Sequence, residues 1–347
     1  MAERAPHLAA RVEDAIRAFR ERRGRRRGRV PAVVPFAGYG GPGWVRVLGR
    51  VVLRAPGDSA DDALAGIRGW RSFVTVPVGD VDVAVEAGGE RHVIRADRGG
   101  VVDERVAADL PPGWHDIRFE VEGRTSVARI VVVDPAETFG LVSDVDDTVM
   151  VTALPRPLLA AWNTFVLDEH ARIPVAGMAV LYDRIAREHP GSPVVYLSTG
   201  PWNVAPTLTR FLGRNLFPAG PLLLTDWGPT PDRWFRNGAQ HKRDSLRRLA
   251  EEFPHIRWLL VGDDGQADER LYGEFAAEHP QNVEAVAIRR LTPGQAVLAG
   301  GRSGGGGAGA DVPWLSASDG SGLDEQLAGI GVLRPPAEGG PPLRWAR

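Results

Sequence analysis

Cysteine is missing altogether from this chain. Its absence excludes disulfides, thiolate metal sites and a cysteine nucleophile, and it is compatible with a reducing cytoplasm. Long apolar runs are missing too: none approaches the roughly 20 residues that span a bilayer. The amino terminus lacks the hydrophobic stretch of a signal peptide. A soluble, cytoplasmic protein without a transmembrane segment is the expectation. Neither sign of charge dominates, since 42 Lys and Arg stand against 44 Asp and Glu for a formal net charge of -2. The molecule as a whole is therefore no electrostatic nucleic-acid binder, and no nucleic-acid partner is expected.

What is present gathers around Leu141 to Met150, where a short apolar run leads into Asp144, Val145, Asp146, Asp147 and Thr148. The run reads as a buried strand. Asp144 then leaves its carboxyl end and Asp146 follows in the loop, which is where ligands bind in an open α/β sheet. Two carboxylates at this spacing suit phosphoryl transfer, with Asp144 as nucleophile forming an aspartyl-phosphate. Asp146 would protonate the leaving oxygen and later activate water. A bound Mg2+ would keep Asp144 ionised beside its neighbour, and it calls for further carboxylates from elsewhere in the chain. The same residues also suit a polar turn with a helix N-cap.

Three later stretches decide between these readings. The apolar run Pro193 to Leu197 ends in Ser198, Thr199 and Gly200, so a strand delivers a hydroxyl able to bond a phosphoryl oxygen. Ser198, first after the strand, is favoured for that contact, with Thr199 as the alternative. Lys242 follows Gln240 and His241 and can hold both phosphate and nucleophile. It lies four residues before Leu246 and seven before Leu249, on the helix face that packs inward, where a cation needs an anionic partner. The run Ile256 to Val261 leads into an acidic loop with Asp263, Asp264 and Asp268, suited to an oxygen-loving cation. Asp263 leaves the strand directly. Asp268 either reaches the metal or its water, or caps the next helix.

This order of aspartate pair, hydroxyl, lysine and acidic loop is that of the haloacid dehalogenase-like phosphohydrolases. More narrowly, Phe139 to Leu291 resembles the catalytic domain of the actin-patch-associated phosphatidate phosphatase family. The residues carrying the resemblance are Ser143 to Thr148, Leu197 to Asn203, Leu224 to Pro231, His241 with Lys242, and Gly262 to Asp268. The resemblance implies a Mg2+-dependent phosphatase with Asp144, Asp146, Ser198 and Lys242 as catalytic residues. It implies phosphate contacts from Ser198 or Thr199 and from Lys242. It also implies a metal set of Asp144, Asp146 (through its backbone carbonyl), Asp263 and Asp268, with Asp264 as a third acid of that loop. The substrate it implies is phosphatidate, hydrolysed to diacylglycerol and phosphate. A soluble phosphomonoester or a phosphoprotein is the alternative on the same site. Readings from other classes are a phospho-accepting signalling module and a non-catalytic binding scaffold.

Around this core the chain divides as follows. Residues 1–37 read as a basic helical arm, with Val12, Ile16 and Phe19 on one side and arginines clustered between Arg20 and Arg29. Such an arm is a candidate for peripheral contact with an anionic membrane, though a solvated tail is the commoner form of such a segment. Residues 38–135 alternate in short runs between Gly- and Pro-containing turns and predict an antiparallel β-sandwich of about seven strands, with a helix over Asp61 to Trp70. The run Gly38 to Gly43 matches a dinucleotide glycine fingerprint, but a strand follows it where a helix is required, so it reads as a turn. Residues 136–298 alternate strand and helix and predict a doubly wound parallel sheet, Rossmannoid in type. The inserts carrying Trp162, Phe165, Trp202, Phe217, Trp227, Trp234 and Phe235 form either an apolar mouth or ordinary packing. Residues 299–311 read as a Gly-rich linker, and 312–347 as a segment docking on the catalytic domain with a loose end.

Overall fold

The computed structural model describes residues 15–16, 18–57, 76–151, 173–225, 231–265, 267–298 and 311–335; in 231–237 and 297–298 only the helical backbone is described. The expected helix at Asp61 to Trp70, the Gly-rich linker up to residue 310, and Trp162, Phe165 and Trp227 lie outside these residues, as do the side chains of Trp234 and Phe235.

The first sheet has seven strands: β1 (Val30–Gly41), β2 (Trp44–Arg54), β3 (Asp82–Ala87), β4 (Glu90–Arg95), β5 (Val101–Ala107), β6 (Gly113–Val121) and β7 (Arg124–Val132). They form one sheet in the order β4-β3-β6-β7-β1-β2-β5, antiparallel except where β1 runs parallel to β7. Its outer strands β4 and β5 approach each other, so the sheet coils into a nearly closed barrel rather than the two separate layers of a sandwich. The register of β1 shifts between Phe36 and Tyr39, and such an irregularity bends a long strand enough for a sheet to curl. The barrel's interior is aliphatic, with Val33, Val47, Val51, Val83, Val85, Ile117, Phe119 and Ile130 in one buried cluster. β1 opens at Val30, inside the stretch assigned by sequence to the basic arm; what precedes it is helical over 18–26. Arg25 ties that helix to the barrel through Glu122, at 3.0 Å.

The second sheet is built from β8 (Phe139–Asp144), β9 (Val194–Pro201), β10 (Leu222–Thr225), β11 (Arg257–Asp263), β12 (Val283–Arg289) and β13 (Trp314–Ala317). The order is β10-β9-β8-β11-β12-β13, and all neighbours are parallel. Helices α1 (Met178–Glu188), α2 (Ala205–Arg214), α3 (Pro231–Glu252), α4 (Asp268–Glu278), α5 (Pro293–Leu298) and α6 (Gly320–Gly329) alternate with the strands. All six residues of β8 are buried, as a strand with neighbours on both edges requires. The chain turns one way from β8 to β9 and β10 and the other way to β11 and β12. The gap between β8 and β11 is therefore the switch point at which the loops part and leave room for a ligand. The carboxyl-terminal segment supplies β13 at the sheet edge, and α6 packs on α1.

Candidate active site

The loop after β8 is set by hydrogen bonds from Val149 and Met150 amides to the Val145 carbonyl and from the Asp147 amide to the Met150 carbonyl, the last at 2.7 Å. This tight path holds Asp147 at φ 58°, left-handed backbone that aspartate tolerates better than most side chains. Ser143, just inside the strand, shares a 2.6 Å hydrogen bond with the buried Tyr182 hydroxyl of α1. Asp144 and Asp146 emerge on this loop at 2% and 6% exposure.

Ser198 stands within β9, farther along than Leu197, because the strand runs on to Pro201. Its Oγ donates to Asp146 Oδ2 at 3.0 Å and accepts from the Gly200 amide at 3.0 Å. The Thr199 carbonyl accepts from Thr225 Oγ1 at 2.8 Å. Ser198 is thus bonded to the acidic loop.

Lys242 lies mid-way along α3, which begins at Pro231. Proline at the first helical position fits the missing amide there. Lys242 shares its face with the buried Leu246 and Leu249, and its Nζ donates to Asp144 Oδ1 at 2.5 Å and to Asp268 Oδ1 at 2.6 Å. The neighbouring Arg243 turns to Glu274 of α4 at 2.7 Å.

Asp263 ends β11, its Oδ1 accepting from the Gly265 amide at 2.7 Å. Asp268 does not cap α4, whose N-cap is Ala267; its side chain turns to Lys242. Space for it depends on Gly262, where a Cβ would meet Asp268 Oδ2 at 2.7 Å. Asp264 takes a structural part, accepting the Leu291 amide at 2.7 Å.

The carboxylates of Asp144, Asp263 and Asp268 offer oxygens that all lie within 4.8 Å of one another, and all three residues are buried. The Oδ2 atoms of all three have no hydrogen-bond partner among the described residues. Three buried carboxylates with a free oxygen each are a hard, oxygen-only donor set, which fits a divalent cation such as Mg2+. The side chain of Asp146 lies outside this group, engaged with Ser198. Burial drives the Asp144 carboxyl well above the ordinary carboxylate range, with Lys242 pulling against it and Asp268 and Asp146 adding to it. Burial likewise raises Asp263, helped by Asp268 and Asp144. Burial alone would lower Lys242, but Asp144 and Asp268 outweigh it and hold the lysine protonated above its ordinary value.

One contributor escaped the motif reading. Arg289, the last residue of β12 and 5% exposed, donates from one guanidinium nitrogen to the Asp147 carbonyl at 2.6 Å and from the other to Gln295 Oε1 at 3.0 Å. Its own carbonyl accepts the Asp264 amide, so the end of β12 joins both acidic loops. The signal available was its place at the carboxyl end of a strand beside the switch point.

Comparison with known proteins places this geometry. Residues 139–290 match the family model described as phosphatidate phosphatase APP1, catalytic domain. Phosphatidate phosphatase APP1 of Saccharomyces cerevisiae is 27% identical over 154 residues, 43% of this chain and 25% of that protein. An uncharacterized protein of Schizosaccharomyces pombe is 27% identical over 158 residues, 43% of this chain and 24% of that one. The aligned part is therefore about a quarter of either relative's length. Among solved structures, a carbohydrate acetylesterase from Xanthomonas citri aligns over 78% of this chain and 73% of its own at 12% identity, but its TM-score of 0.28 leaves the likeness without weight. The family resemblance read from the motifs is borne out for the segment that carries them: residues 139–290 are an App1-like catalytic domain.

Proposed function

We propose that the protein is a Mg2+-dependent phosphatase of the haloacid dehalogenase-like type, working through an aspartyl-phosphate. The observation that carries this reading is the buried set of Asp144, Asp263 and Asp268 around Lys242, with Asp146 bonded to Ser198 alongside. Asp144 is the nucleophile, its Oδ1 held by Lys242 and its Oδ2 without a partner among the described residues. It attacks phosphorus while Asp146 delivers a proton to the leaving oxygen, and the same carboxylate then takes a proton from the water that opens the acyl phosphate. Ser198 and the Lys242 ammonium bond the phosphoryl oxygens as charge builds on them. Asp144, Asp263 and Asp268 would hold the Mg2+, which supplies charge neutralisation at the phosphoryl group.

Phosphatidate is the proposed substrate, on the strength of the name borne by the yeast relative. A soluble phosphomonoester is the second reading, and a specific observation favours it. Of the aromatic side chains expected to line an apolar mouth, the two described, Trp202 and Phe217, are each 5% exposed and belong to the packed core. The test is phosphate release from phosphatidate in mixed micelles with Mg2+, beside a soluble phosphomonoester, for the native protein and Asp146→Asn. Losing the proton donor should lower turnover by about 10²- to 10⁴-fold. Release from the soluble ester alone would remove the lipid assignment. Release from neither by the native protein would overturn the phosphatase reading.

A further inference from the structure

The Gly38 to Gly41 stretch read as a turn is part of β1, and from it Tyr39, like Arg50 of β2, faces the catalytic sheet rather than solvent. Tyr39 donates its hydroxyl proton to Glu252 Oε2, at 2.7 Å, at the end of α3. Arg46 reaches Glu252 at 3.0 Å and Arg248 reaches Asp103 at 3.1 Å, so the barrel grips the carboxyl-terminal turns of the helix that carries Lys242. Arg50 is held at one side by the Gly99 carbonyl, 3.1 Å from Nε, and at the other donates to Asn203 Oδ1 at 2.6 Å. The Phe36 ring stacks on the Trp202 indole, centroids 4.7 Å apart and planes 16° from parallel.

Trp202 and Asn203 begin the short 3-10 turn that follows β9 directly, four and five residues beyond Ser198. Between them, Gly200 donates to the Ser198 hydroxyl and Thr225 holds the Thr199 carbonyl. The segment that aims Ser198 at Asp146 is therefore fixed from inside by β10 and from outside by the barrel. A turn with no capping side chain of its own depends on such outside partners to keep one conformation.

We infer that the barrel is a working part of the phosphate site, with Arg50 and Phe36 acting as positioning residues for the loop that presents Ser198. This rests on the phosphatase reading and extends it to the first domain. Neither residue touches the carboxylates; they act through Asn203 and Trp202. Without them the loop gains freedom, and the hydroxyl leaves the geometry at which it can meet a phosphoryl oxygen.

The experiment uses the full chain with Arg50→Met, Arg50→Lys, Phe36→Leu and Asn203→Leu, the double variant Arg50→Met with Asn203→Leu, and Arg95→Met as a control in an exposed pair with Asp82 on the barrel's far edge. Steady-state phosphate release should fall in kcat by between about tenfold and a hundredfold for Arg50→Met, the cost of a small misplacement. KM should change little, Arg50→Lys should recover part of the loss, and Arg95→Met should leave turnover as it was. The double variant should be no slower than Arg50→Met, since both substitutions remove the Arg50–Asn203 hydrogen bond and only Arg50→Met also removes the bond to Gly99. Amide resonances of Thr199, Gly200 and Asn203 should move in Arg50→Met. Unchanged kcat, additive losses in the double variant, or unmoved amides would each overturn the inference. The resonances are read without turnover, so a native protein that releases no phosphate would sink the phosphatase reading and leave them to decide this one.

Discussion

Lys242 is a single ammonium shared by two buried carboxylates, with a third close by. A buried ion pair is costly to form but costlier to break, because removing one partner strands the other's charge away from water. Lys242→Met strands Asp144 and Asp268 together. The expected loss of stability without metal is about 3–5 kcal/mol, the range for breaking buried pairs, read as a drop in the urea midpoint followed by tryptophan fluorescence. Mg2+ should recover part of that loss in the variant, since a divalent cation among the three carboxylates replaces the missing positive charge and binds only the folded state. An equal loss with and without Mg2+ would separate Lys242 from the metal set. The side chains at this scale were largely legible in the sequence. Asp144, Ser198 and Asp263 sit on or just at the ends of strands whose apolar runs are unmistakable, and Lys242 is fixed by its spacing from Leu246 and Leu249. Arg289 was not legible, because its role runs through a backbone carbonyl at the left-handed Asp147, and no side-chain pattern encodes that.

At the scale of elements, β8 carries the site and has no slack. Gly140 pairs with Trp258 of β11, and a Cβ built there would fall 2.5 Å from the Trp258 ring, itself 1% exposed. The indole packs edge-on to Phe253, centroids 6.1 Å apart, so it cannot withdraw without moving the end of α3. Gly140→Ala should therefore destabilise the protein by about 1–3 kcal/mol, as overpacking of a full core does, measured as a shift in the thermal midpoint. A neutral substitution would mean that the ring can move. The elements themselves were read with unequal success. The catalytic strands and helices stand out because hydrophobic period changes from one to the next. The start of α3 at Pro231 is hard to read from the sequence, because residues 231–241 carry no large apolar residues at helical spacing, Trp234 and Phe235 being adjacent. The barrel was read as a sandwich because alternation along each strand is the same in both. What separates them is the bend in β1 and its parallel pairing with the distant β7, and neither leaves a local mark.

At the scale of the molecule, the barrel keeps its own interior, but its outer face shares a core with the catalytic sheet. β2 is buried on both faces: Val45, Val47 and Val51 point into the barrel, whereas Leu48 and Val52 join the cluster that contains the catalytic sheet. Phe36, Tyr39 and Trp44 belong to that same cluster, with Phe253 placed 5.9 Å from Tyr39 and 5.5 Å from Trp44, ring to ring. Around the rings run the ion pairs from Arg46 to Asp103 and Glu252 and from Arg248 to Asp103, all partly shielded from solvent. An interface that resembles a domain core cut in half is not the loose, polar contact of independently moving domains. Unfolding the barrel would expose Trp202, which stacks on Phe36, and Phe253, which packs on Tyr39 and Trp44, and little of the catalytic sheet's stability would survive. The full chain should accordingly unfold in one transition, with far-ultraviolet circular dichroism and tryptophan fluorescence coinciding along the same urea series. Phe36→Ala should move both probes together, because the cavity it leaves lies in the shared core. Two resolved transitions, or a shift of one probe alone, would mean that the domains fold separately and that their contact is only a surface.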